Sequence, residues 1–75
     1  MADPVDCFGD IITPGAILAS DDDAVLVRVL SWSWSEHREC FLAKFRVLKG
    51  KQEEVDLDTH PECTRWRIVE ESHAS

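Results

Sequence analysis

Two segments of the chain place a histidine and a cysteine at the same spacing. They are HREC, residues 37–40, and HPEC, residues 60–63. Two residues between a histidine and a cysteine allow both side chains to hold one metal ion, as in zinc-binding loops. If both segments lie at one end of a sheet, His37, Cys40, His60 and Cys63 complete a tetrahedral zinc site. Because neither segment has the glycine-rich knuckle that wraps a thiolate, we expect no metal ligands and no cofactor. A zinc-stabilised mini-domain is retained as an alternative.

The same side chains raise the question of a cysteine nucleophile. A reactive thiolate needs a neighbouring base and an electropositive setting, and His37 or His60 is close enough in sequence to act as that base. The chain has no glycine loop resembling an oxyanion hole, and a domain of 75 residues leaves little room for a substrate pocket. The sequence therefore predicts no catalytic residues and a protein that is not an enzyme.

Short stretches of alternating apolar and polar residues predict that the chain is mainly β. The clearest is AVLVRVLSWSW, which begins at Ala24 and places Val25, Val27 and Val29 on one face. The stretch FLAKFRVL, residues 41–48, alternates in the same way, although a helix over about 36–49 (an α+β fold) is an alternative. The predicted strands cover about 16–20, 24–34, 41–48, 53–58 and 64–70.

Five short strands, each with one apolar face, predict a small antiparallel barrel or a curled sheet. The Pro14-Gly15 corner followed by these strands resembles an SH3-like barrel in architecture, with no family motif beside it. We expect residues 1–10 to form a flexible acidic arm, 11–70 a single β domain and 71–75 a disordered tail.

The stretch SWSWS, residues 31–35, raises the question of where its two indoles point. A hairpin in which paired residue numbers sum to 74 places Val29 opposite Phe45 on the core side. Trp32 and Trp34 then lie on the outer face, where exposed indoles and arginines are typical of a protein interface. The sequence therefore predicts partner binding through one outward strip, made up of Trp32, Trp34, Leu30, Leu42, Arg28, Lys44 and Arg46; we call it the predicted strip.

Two alternatives place the indoles elsewhere. A β-bulge near Ser31 shifts the register by one residue and puts both indoles into the core. In the second alternative, the N-terminal arm folds over the indoles, with Phe8 packed on them and Asp6 or Asp10 near the arginines. Either arrangement makes the indoles part of the chain's own packing.

The charge distribution limits the kinds of partner. The chain carries a net charge of −7, with a net +4 over residues 28–51 and acidic segments on either side. An acidic surface repels phosphate backbones, so nucleic acid is not expected as a partner. An inhibitor whose carboxylates imitate a nucleic acid is an alternative function. We expect a small acidic adaptor or inhibitor that binds a partner protein, or a second copy of itself as a homodimer.

The expected location is the cytoplasm. Three cysteines are an odd count and do not form a dense disulfide framework, which fits a reducing compartment. No apolar run approaches the roughly 20 residues of a membrane span, so no membrane association is expected.

Overall fold

Five antiparallel strands form one sheet in the computed structural model, which describes residues 3–70. The strands are β1 (Ile17–Ala19), β2 (Leu26–Ser35), β3 (Cys40–Lys49), β4 (Asp56–Leu57) and β5 (Arg67–Glu70), with a 3-10 turn at Pro61–Cys63. Along the sheet the strand order is β4-β3-β2-β1-β5, a meander whose fifth strand returns to pair with the first. Hydrogen bonds among the described residues do not close the sheet into a barrel, so the predicted mainly β fold is confirmed as a curled sheet.

The segment that the sequence left open between strand and helix is a strand. Residues 40–49 form β3 and pair with β2 along almost its whole length, so the helix alternative for 36–49 is wrong. The alternation of Phe41, Ala43 and Phe45 with polar residues suits a sheet that is half-buried on one face. Within residues 3–70, no helix is long and apolar enough to cross a membrane.

The register of the long hairpin shifts twice, first between Leu26 and Val27 and again at a β-bulge after Val29. Before the bulge, Val27 pairs with Val47, Arg28 with Arg46 and Val29 with Phe45, as predicted. The register then shifts between Val29 and Ser31. Beyond it, Trp32 lies opposite Ala43 and Trp34 opposite Phe41.

This shift corrects the single register predicted from the sequence. Because side chains alternate with a period of two, one extra residue moves everything beyond it to the other face. Trp32 and Trp34 therefore share the core face with Phe41 and Phe45, and the serines between them occupy the outer face. The bulge near Ser31 is therefore present, but only Trp32 packs against the core, while Trp34 remains 54% exposed.

The hydrophobic core fills the concave side of the sheet. Leu18, Val27 and Val29 are completely buried, and Leu57 brings β4 onto the same cluster opposite Phe41. Trp66, only 2% exposed, covers the cluster from the start of the last strand. Half-buried side chains pack at its edge, among them Trp32, Phe41, Ala43, Phe45 and Ile68.

The N-terminal segment is bonded to the sheet through a buried carboxylate. Asp6 is 1% exposed and accepts backbone N–H bonds from Phe8 at 3.0 Å, Asp10 at 2.9 Å and Ile68 at 3.1 Å. The Val5 N–H also donates to the Asp58 carbonyl at 2.7 Å. The stretch expected to be a flexible arm, 1–10, thus includes residues that hydrogen-bond to the body of the domain. The predicted tail, 71–75, lies outside the described residues.

Candidate functional site

The seven residues of the predicted strip lie on two faces of the hairpin. Arg28 and Arg46 are exposed and opposite each other on the outer face, where Lys44 is exposed and Leu42 half-buried. Leu30 is 44% exposed at the bulge. Trp32 is half-buried against the core, and Trp34 lies on the same face but remains 54% exposed. The single outward strip is therefore wrong as a geometric prediction.

The arm alternative does not explain the exposed indole. Phe8 is 74% exposed, so it is not packed on the tryptophans. Asp6 uses its carboxylate for backbone N–H groups instead of approaching an arginine. Trp34 thus keeps about half its surface free at one end of the hairpin.

A cavity of about 220 Å³ opens beside Trp34. The Phe41 ring meets the indole edge to face, with ring centroids 5.2 Å apart and planes at 78°. Such pairs contribute roughly 0.5–1.5 kcal/mol beyond the area they bury. The residues lining this space, which we call the Trp34 cavity, are Trp34, Glu39, Cys40, Phe41, Leu57, Asp58, Thr59 and His60.

Three local features of the chain place these groups together. The bulge turns Trp34 to the core face, and the register of β3 with β4 sets Leu57 opposite Phe41. The turn between β2 and β3 ends at Glu39, whose φ of 54° is a left-handed conformation rare for a residue with a side chain. The bond from the Val5 N–H to the Asp58 carbonyl holds the loop after β4 in place.

The charged groups around the Trp34 cavity are mainly acidic. Its lining includes the carboxylates of Glu39 and Asp58, one histidine, and no lysine or arginine. Arg38, although next in sequence, forms an ion pair with Glu54 and lies 3.8 Å from an Asp56 oxygen. Arg38, the basic residue of the turn, is thus already paired with acidic side chains of this chain.

The thiol of Cys40 is a poor nucleophile in this setting. Burial raises the pKa of Cys40 above its usual value, and the negative charge of Asp56 raises it further. A raised pKa keeps the thiol protonated at neutral pH, whereas nucleophilic cysteines need the thiolate. The positive charge of Arg38 lowers the pKa of Cys40, but it does so by less than burial and Asp56 raise it.

The two HxEC segments do not converge on a metal site. Cys40 and His60 line the Trp34 cavity, whereas His37 is exposed in the hairpin turn. Cys63 is exposed and lines a different cavity, of about 180 Å³, beside Trp66. Across residues 3–70, no three side chains of His, Cys, Asp or Glu gather closely enough to hold a metal ion.

Sequence reasoning found Trp34, and the hairpin pattern brings residues 37–40 and 60 to one end of the sheet. It did not assign Glu39 or Asp58 to a site, because the placement of their side chains depends on a turn conformation and on the bond to Val5. Neither feature produces a periodic pattern of apolar and polar residues in the sequence.

Comparison with protein-family models, with curated proteins and with solved structures gives no significant match.

Proposed function

We propose that this chain is a small acidic protein-interaction module, an adaptor or inhibitor, that binds a partner protein at the Trp34 cavity. The observation that carries the proposal is Trp34, 54% exposed beside Phe41 in the wall of an open cavity. Tryptophan dominates interface energetics because it combines a large apolar area with a hydrogen-bond donor and few rotatable bonds.

The fold fits this role. The strand order and the turn before β5 are compatible with an SH3-like architecture, which we propose for the domain. A sheet built on a small packed core is a rigid platform, and rigid positioning lowers the conformational cost of binding. We further propose a cytoplasmic location, consistent with three cysteines that form no disulfide bonds.

The outer face supplies a second contact surface. Arg28 and Arg46 lie opposite each other, and neither forms an ion pair with any residue between 3 and 70. Two facing guanidinium groups repel each other until an acid lies between them. We propose that Arg28, Arg46 and Lys44, the basic members of the predicted strip, meet acidic groups of a partner. Leu30, 44% exposed, adds apolar contact beside them.

Affinity capture with matched variants tests the proposal. Parent chain, Trp34→Ala and Phe8→Ala are used as baits in extracts of the source cells, and captured proteins are compared. Phe8 is the control because it is an aromatic residue, 74% exposed, that does not line the Trp34 cavity. We expect one partner set with parent and Phe8→Ala, and its loss with Trp34→Ala. Equal capture by all three baits would overturn the proposed function.

A further inference from the structure

We infer that the Trp34 cavity receives the cationic end of one lysine or arginine side chain. The inference rests on the proposed function, because it names the chemistry of the partner at the same site. It follows from the size of the cavity, its aromatic walls and the charge of its lining.

The size of the Trp34 cavity fits one side chain. Its volume of about 220 Å³ lies below the roughly 300–1,000 Å³ of pockets that enclose whole small-molecule ligands. A single long side chain that enters from a partner's surface needs less space. The cavity is open to solvent next to Trp34, so such a side chain has a direct path.

The walls favour a cation. Trp34 and Phe41 meet at 78° and so form two adjoining aromatic walls. The negative face of an aromatic ring attracts a lysine ammonium or arginine guanidinium within about 6 Å of its centroid, and tryptophan does so best. The exposed part of Trp34 also offers apolar contact for the methylene stem of either side chain.

The charge of the lining points the same way. Two acidic residues, Glu39 and Asp58, are among the lining residues, and no lysine or arginine of this chain is. A carboxylate oxygen of Asp58, Oδ1, accepts a hydrogen bond from the backbone N–H of His60 at 3.0 Å, which fixes the orientation of that carboxylate. An anion entering here meets two like charges, and an apolar side chain leaves both carboxylates without a counter-charge. A cation is attracted both by the aromatic rings of the walls and by the acidic residues of the lining.

The test uses peptides of sequence Gly-Gly-X-Gly-Gly, in which X is arginine, lysine, norleucine or glutamate. Binding is read from the indole N–H resonance of Trp34 and from protection of Cys40 against alkylation. Cys63, which lies outside the Trp34 cavity, is the internal control for alkylation. Norleucine matches the apolar stem of lysine without its charge, so it isolates the cation.

We expect the arginine and lysine peptides to shift the Trp34 resonance and to slow Cys40 alkylation while Cys63 alkylation is unchanged. Norleucine should bind about two- to fivefold more weakly, the factor that corresponds to one exposed cation–π contact. Glu39→Gln should weaken the basic peptides by a similar factor, and added salt should weaken them further.

Equal binding of the norleucine and lysine peptides would overturn the inference while leaving the proposed function intact, because capture through Trp34 does not require a cation. Preference for the glutamate peptide, or no response to any peptide at 10 mM, would also overturn it. If the Trp34 resonance moves on dilution of the chain alone, the occupant is a second copy, and the assignment to a foreign partner is wrong.

Discussion

The Trp34 indole meets the Phe41 ring edge to face because a single extra residue in β2 turns it onto that side of the sheet. Without the bulge, Trp34 would lie opposite Cys40 on the outer face, where the regular register places it. The bulge thus converts an outward pair of indoles into one that packs on the core and one that lines a cavity. The site depends on this shift more than on the identity of any one loop residue.

Deleting one residue at a time tests this relationship. Removing Leu30 removes the extra residue and leaves Val29 opposite Phe45 and Trp34 opposite Phe41. We therefore expect the free energy of unfolding of the Leu30 deletion to lie within about 1 kcal/mol of the parent value. Removing Ser33 instead forces the two indoles onto opposite faces, and we expect a loss of about 2 kcal/mol or more. Urea denaturation measures both; equal losses for the two deletions would contradict the described register.

The Asp6 carboxylate should be a principal support of the N-terminal segment. Asp6→Ala leaves three backbone N–H donors without their acceptor. Since each unsatisfied buried donor costs about 1–3 kcal/mol, we expect a loss of about 3 kcal/mol or more in urea denaturation. Asp10→Ala is the control, because the Asp10 side chain is exposed and should change stability by less than about 0.5 kcal/mol. Similar values for the two variants would contradict the assigned role of Asp6.

One substitution of Glu39 should weaken binding of the arginine peptide without lowering the free energy of unfolding. Its φ of 54° is strained for a residue with a side chain and relaxed for glycine. Glu39→Gly should therefore be at least as stable as the parent within about 0.5 kcal/mol, whereas Glu39→Val should lose about 1–2 kcal/mol. Both variants lack the carboxylate and should bind the arginine peptide weakly. A less stable glycine variant than valine variant would contradict the turn geometry.

The valines at every second residue, together with Phe45, were enough to predict the core half of the hairpin and its register. For the other half, two registers remained open from the sequence, because the bulge lies at Leu30 and Ser31, which include no glycine or other residue that marks such a shift. The role of Asp6 was equally hidden, since one of its donors, Ile68, follows 62 residues later. Both features come from tertiary pairing, which a local alternation of residue types does not encode.

Stability should respond to acid through Asp22, in the turn after β1. The Ser20 hydroxyl donates to its carboxylate at 2.7 Å and, with the Ala24 N–H at 3.1 Å, lowers the pKa of Asp22 below its usual value. A lowered pKa in the folded state means that the ionised carboxylate stabilises the fold above the unfolded pKa, near about 4. This contribution is lost as pH falls through the lower, folded pKa.

Asp22→Asn isolates that effect. The parent should be more stable than Asp22→Asn at pH 6, and the difference should shrink as pH falls below about 4. Thermal unfolding of both chains between pH 2 and 6 measures the difference, with Asp21→Asn as a control because the Asp21 side chain forms none of these bonds. A difference that stays constant with pH would contradict the described hydrogen bonds.

The most direct measurement of the central claim is photo-crosslinking from position 59, because Thr59 lines the Trp34 cavity and its replacement leaves Trp34 in place. The chain carries benzoylphenylalanine as Thr59→Bpa, or as Phe8→Bpa for the control, and is irradiated in the source cells. If the Trp34 cavity is the contact site, a partner protein will be crosslinked at position 59 and will map there by mass spectrometry, with none at position 8. Crosslinks at position 8 alone, or at neither position, would contradict the account.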